Sequence, residues 1–268
     1  MRAFVVLLFA SLFACLPASP VPIQNPAAVM LVNQAVAAAV GRNPISDITL
    51  AGTVTYTAGS DIETGTATLE ATARDESLVT LSLPGGERQW IRQGPAGVWT
   101  GPEGQPGQVH AMATHNCWVD AAWFFPAFSL EGALSNPAAG LSSSGAGSWQ
   151  GVSVQQAQWS GAPPSGQTAE INAAIQQLSA TAISLDASSL LPLALDFNLH
   201  PDNDAGQNLP VEIRFSDYRL VSGVHVPFHI QKLVQGSLLL DITVTNVTVN
   251  TGLADSVFTL PAATGAQP

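Results

Sequence analysis

Residues 210–247, "PVEIRFSDYRLVSGVHVPFHIQKLVQGSLLLDITVTNV", decide the fold class. Apolar residues alternate with polar ones at Val211, Ile213 and Phe215, and the alternation resumes at Val224, Val226, Phe228 and Ile230. A period of two gives each strand one apolar and one polar face. Ser222-Gly223 and Gln235-Gly236 stand where short turns join such runs, so the stretch predicts an antiparallel meander. The apolar parity slips between Phe215 and Tyr218 and again near Asn246 and Val247. A bulge accounts for each slip, and bulges curl a sheet. What the apolar face covers is then the functional question: an ordinary core, or something that is not protein.

The flanking sequence extends the sheet in both directions. Upstream, "TAISLDASSLLPLALDFNL" reads as a hairpin around Ala187 to Ser189, and "HPDNDAGQN" as the next turn. Further towards the N-terminus, strand-like pieces at Ile48 to Thr57, Thr64 to Ala73, Leu78 to Leu83, Glu87 to Gln93 and Val98 to Thr100 are separated by turn-forming clusters. Another strand is expected at Val152 to Trp159, after a Ser/Gly-rich loop or bent strand from Gly140 to Gly151. Helices are few. Asn25 caps one with Pro26 at its first position, Gly41 just past its end and Val29, Val32, Val36 and Val40 on one stripe. A second runs over about Thr168 to Ser179, with Ile171, Ile175 and Leu178 at helical spacing. Between them "HNCWVDAAWFFPAFSLEGAL" concentrates aromatic residues in a short helix expected to stop before Pro126.

This order of elements, with "ISLDASSLLPLALDF", the meander, the G-x-x-x-P of Gly223 to Pro227 and the closing F-x-L-P of Phe258 to Pro261, resembles exported bacterial proteins of the LolA-like (outer-membrane lipoprotein carrier) superfamily. More closely, it resembles an uncharacterised group of secreted bacterial proteins at the edge of that superfamily. The resemblance is strongest from Thr181 to Pro261. It implies an α+β fold, a strongly curved antiparallel half-barrel closed by helices, with an apolar cavity that holds acyl chains in characterised members. Fold transfers further than function in such a likeness.

The N-terminus, "MRAFVVLLFASLFACLPASP", has one Arg, an uncharged apolar run and then small residues, the pattern of a secretory signal over residues 1–18. "LFAC", Leu12 to Cys15, also resembles a bacterial lipobox with Cys15 acylated. Residues 19–268 then form a single domain, exported to the periplasm or beyond and in the lipidated case anchored through Cys15. With Cys15 removed or acylated, Cys117 has no disulfide partner and reads as a small buried hydrophobe. No later run approaches the ~20 apolar residues of a membrane span.

Nineteen acids against eight Lys and Arg give a net charge of −11, a poor electrostatic match to nucleic acid or anionic lipid surfaces. Catalytic and metal motifs fail in turn. "HPDNDAG" (His200, Asp202, Asp204) has oxygen ligands but not the spacing of a calcium loop, and reads as a turn. "HAMATHNCWVD" (His110, His115, Cys117, Asp120) fits no zinc spacing, and His115 and Asn116 read as caps of the aromatic helix. His225 and His229 share a strand face but lie ~13 Å apart by strand rise. No cofactor is expected and no enzyme.

The remaining feature is the aromatic segment. Trp118, Trp123, Phe124, Phe125 and Phe128 are too many for one stripe of a short helix, so some fill a core and some face a second apolar surface. These five are the candidate cavity lining. The expectation is a non-enzymatic envelope protein that binds or carries a lipid or lipoprotein acyl chain. The alternative is an interaction or structural module with a solid core.

Overall fold

A computed structural model describes residues 24–41, 44–102, 107–119, 121–136, 140–161 and 166–264. The expected signal segment, Cys15 and Asp120 lie outside the described residues.

Thirteen strands form one antiparallel sheet: β1 (Asp47–Ala58), β2 (Asp61–Thr72), β3 (Glu76–Leu83), β4 (Gly86–Gln93), β5 (Ala96–Thr100), β6 (Val109–Ala111), β7 (Ser142–Trp149), β8 (Val152–Trp159), β9 (Thr181–Asp186), β10 (Pro192–Leu199), β11 (Leu209–Val221), β12 (Val224–Val234) and β13 (Ser237–Val249). Neighbours in space are neighbours in sequence except at one seam, where β1 pairs with β13. That pairing joins two meanders into one sheet with open edges at β6 and β7. The sheet is a curved half-barrel rather than a closed one.

Ser222-Gly223 and Gln235-Gly236 take positive φ at both residues, the mirror-image turn whose twist matches its flanking strands. Gln150-Gly151 does the same between β7 and β8. Bulges fall where register slips: Thr245 is the extra residue between the pairs Ala51 with Asn246 and Gly52 with Val244, and Leu239 between Lys232 with Leu240 and Leu233 with Leu238. The bulge expected before Tyr218 is absent. Register there is unbroken, with no inserted residue, and Asp217 takes φ +53.

Among the described residues three α-helices accompany the sheet: α1 (Pro26–Val40), α2 (Pro126–Ser135) and α3 (Ala169–Leu178). The Asn25 side chain accepts from the Ala27 amide, and Gly41 closes α1 at φ +64. Its buried face is Ala28, Val32, Ala35, Ala39 and Val40, so Val32 and Val40 of the expected stripe are buried together with three alanines whose small side chains let the helix lie close. Val29 and Val36 pack at the edge of that contact. The aromatic segment is the main correction. Pro126 begins α2 instead of ending a helix before it, since proline's missing N–H costs nothing at the first turn. Ahead of it, among the described residues, stand a turn of 3₁₀-helix, Thr114–Cys117, bends at residues 118–119 and a turn at residues 121–124. In α3 only Ile175 is buried, and Ile171 is exposed.

The core occupies the concave face. Ile48, Leu50, Leu69, Leu81, Ile213, Val226, Ile230 and Ile242 project from the strands, and Phe124, Phe125 and Leu130 seal them from above.

Candidate functional site

Inward parity on β12 runs Val224, Val226, Phe228, Ile230, Lys232, Val234, and on β4 Arg88, Trp90, Arg92. The first rows of β12 are covered by core. Towards its far end, Lys232 and Val234 line a cavity of about 320 Å³. Tyr56 of β1, Val79 of β3, Trp90 and Arg92 of β4, Trp99 of β5, Phe197 and Leu199 of β10 and Leu239 and Leu240 of β13 complete its sheet wall. Its roof is the segment from Met112 to Trp123, crossing between the two meanders. The walls are mainly aliphatic and aromatic, the chemistry of a small apolar ligand site.

Arg92 holds the roof down. Its buried guanidinium donates to the carbonyls of Asn116, Cys117 and Val119, while its Nε has no partner among the described residues. Asp75 accepts from the Ala121 amide at 3.3 Å, pinning the same segment a little further on. Lys232 reaches the roof from below, its Nζ 4.6 Å from the centre of the Trp123 ring, a cation–π contact. No carboxylate pairs with Lys232 among the described residues. Desolvation pushes its pKa down to about 8, with the Arg92 charge adding to the effect. Lys232 keeps some accessible surface, but it faces the cavity, so the protein packed round it sets the desolvation. Burial likewise raises the Cys117 thiol, against the opposing pull of Arg92. That leaves a small buried hydrophobe, not a nucleophile.

The five aromatic candidates separate. Trp123 lines the cavity. Trp118 and Phe128 line a different hollow of about 250 Å³ beside α2, with Trp159 and Gly161. Phe124 and Phe125 are packed solid, and neither lines a described cavity. The rings the sequence reading passed over are Tyr56, Trp90, Trp99 and Phe197, scattered over four strands.

The two histidine-containing motifs meet, though not as a metal site. Asn116 accepts from the His200 amide and donates to its carbonyl, which brings the His115 and His200 rings to 5.8 Å, edge to face. Among the described residues no three potential ligands converge on a metal position. Asn116 thus clamps a distant loop instead of capping a helix. Asp204 accepts from the Gly206 amide, as a turn residue does. His225 contacts the Ala38 carbonyl at the end of α1.

His229 belongs to a row the sequence did not suggest: Ser216 Oγ lies 3.1 Å from its Nδ1, and Asp241 Oδ1 lies 2.8 Å from its Nε2, across β11, β12 and β13. The residue types are those of a hydrolytic triad. The row lies on the outer face, away from the cavities described, and reads as a cross-strand hydrogen-bond ladder.

A half-barrel of this order, with helices over its concave face, defines a known architectural class. No family model matches the chain, and no curated protein matches it. Solved structures do. An outer membrane lipoprotein-sorting protein domain from Vibrio parahaemolyticus superposes with a TM-score of 0.53 at 12% identity, covering 86% of this chain and 95% of that one. A LolA superfamily protein from Nitrosomonas europaea gives 0.52 at 11%, covering 87% and 97%. A DUF1329 family protein from Desulfovibrio piger gives 0.51 at 13%, covering 89% and 97%. The chain has a LolA-like fold.

Proposed function

We propose that the protein binds an acyl chain of a lipid or lipoprotein in the cavity between β3–β5 and β12–β13, and that it carries or senses that chain in the bacterial envelope. The observation that carries this reading is the cavity itself: about 320 Å³ with Tyr56, Trp90, Trp99 and Trp123 on its walls, inside a curved sheet. Driving force comes from buried methylenes at ~0.8 kcal/mol each, so eight give ~6 kcal/mol before the chain's ordering cost. The volume is at the low end of small-ligand sites, which start near ~300 Å³. It suits one chain rather than the several of an acylated lipoprotein held whole. The likeness to a lipoprotein-sorting domain supports the same reading at the level of fold.

Export and, in the alternative, acylation of Cys15 belong to this proposal and are tested by the intact mass of the mature protein. No described helix is long and apolar enough to cross a membrane. The binding reading needs no catalysis.

The test is mass spectrometry of lipids extracted from natively purified protein, with displacement of a fluorescent fatty acid from wild type and from Trp123→Ala. Co-purified lipid and weakened binding in the variant are expected. A folded wild type with neither lipid nor probe binding overturns the proposal and leaves the solid interaction module in its place.

A further inference from the structure

Lys232 is the one residue in the inward row of β12 that does not belong in an apolar lining. A charge in such a place costs free energy unless it is paired. Its contacts are a ring face and the cavity, and the other cation at the wall, Arg92, is spent on carbonyls of the roof. Among the described residues, the charged groups facing the cavity are therefore Lys232, Arg92 and Asp202, with Tyr56 as a further titratable residue. Asp202 comes from the loop after β10, and no hydrogen bond or ion pair joins it to Lys232 among the described residues. Among the described residues, two cations against one acid give the lining an excess of positive charge inside a protein whose net charge is −11.

We infer that the cavity selects a single-chain amphiphile with an anionic head, whose carboxylate or phosphate sits on the Lys232 ammonium beside Trp123 while its chain lies along Trp90, Trp99 and Leu240. This rests on the proposed acyl-chain site and adds the chemistry of the head. A ligand anion supplies the counter-charge that the described side chains do not, and a charge-assisted contact in a desolvated site is stronger than one in water. A neutral chain of equal length gains only the methylene burial. A cationic head is repelled.

Dodecanoate, monododecyl phosphate, dodecanol and dodecyltrimethylammonium, all below their micelle concentrations, are titrated into the purified chain by tryptophan fluorescence and calorimetry at pH 7.4. The two anions are expected to bind roughly ten- to a hundredfold more tightly than dodecanol. Whichever of them binds better identifies the head as carboxylate or phosphate. Lys232→Gln should abolish that preference while leaving dodecanol affinity in place, and Lys232→Arg should restore it; thermal melts of both variants show that they fold. Dodecanoate affinity should also fall above about pH 8, where Lys232 discharges, with dodecanol unaffected. Equal binding of dodecanoate and dodecanol, unchanged in Lys232→Gln, overturns the inference and leaves the acyl-chain site standing. Failure of all four amphiphiles to bind overturns both.

Discussion

Replacing Lys232 by Met removes a charge from the cavity wall and keeps most of the side-chain volume. The free protein should become more stable. Burial lowers the lysine pKa from 10.5 in the unfolded chain to about 8, so the folded state loses its proton first. Below pH 8 the lysine is charged in both states, and folding bears the whole desolvation cost. Between pH 8 and 10.5 the unfolded state holds more protons, so wild-type stability rises with pH by linkage. At 1.36 kcal/mol per pKa unit the penalty is roughly 3 kcal/mol at pH 7 and roughly 1.5 kcal/mol at pH 9.5. The lost cation–π contact offsets about 0.5–1 kcal/mol of the gain. Urea unfolding of wild type and Lys232→Met at both pH values gives the double difference, in which other titrations, including the tyrosines, cancel. The variant should be ahead by about 2 kcal/mol at pH 7 and by clearly less at pH 9.5. A variant less stable than wild type at pH 7, with a gap independent of pH, would refute the claim that Lys232 is desolvated and unpaired.

The remaining expectations concern stability and reactivity elsewhere in the fold. Phe125→Ala should cost about 3–5 kcal/mol in denaturant unfolding because the ring is fully buried, whereas Trp123→Ala should act mainly on ligand affinity; equal stability losses would contradict their separation into core and cavity wall. Gly52→Ala should destabilise by about 1–3 kcal/mol, since a Cβ there comes within 2.1 Å of the Thr243 carbonyl oxygen beside the Thr245 bulge; a neutral melt would show that the seam relaxes freely. Asp196 has its pKa raised to about 6, first by burial and then by Glu212, with Arg214 opposing. A raised acid destabilises as pH climbs from about 4 to 6, so Asp196→Asn should stabilise by up to ~3 kcal/mol at pH 7 and by nothing at pH 3.5. A fluorophosphonate should leave Ser216 unlabelled, because its row lies on an outer strand face away from the described cavities; stoichiometric labelling would mean that the Ser216, His229 and Asp241 row is catalytic.

The meander was legible because period-two alternation and x-Gly turns are local signals. Ser222-Gly223 and Gln235-Gly236 turn as their residue types require. The Thr245 bulge was legible too, since an inserted residue flips the parity of every residue after it in the strand. The stretch before Tyr218 was misread, because apolar parity breaks there without any inserted residue. Pro126 was misread since proline both ends one helix and starts another, and only the tertiary contacts of Phe124 and Phe125 decide which. The cavity wall was mostly hidden, as Tyr56, Trp90 and Trp99 of the first meander face Phe197 and Lys232 of the second only when the two pair through β1 and β13. One signal was available. Continuing the row Val224, Val226, Phe228, Ile230 by two residues reaches Lys232, a charge at an inward position.

The occupancy of the cavity is read most directly by nuclear Overhauser effects between ¹³C-labelled dodecanoate and the protein's indole protons. Contacts from chain methylenes to Trp90, Trp99 and Trp123, with none to Trp149 on β7, are the predicted result. Contacts confined to Trp118 and Trp159 beside α2, or none at saturating ligand, would contradict the account.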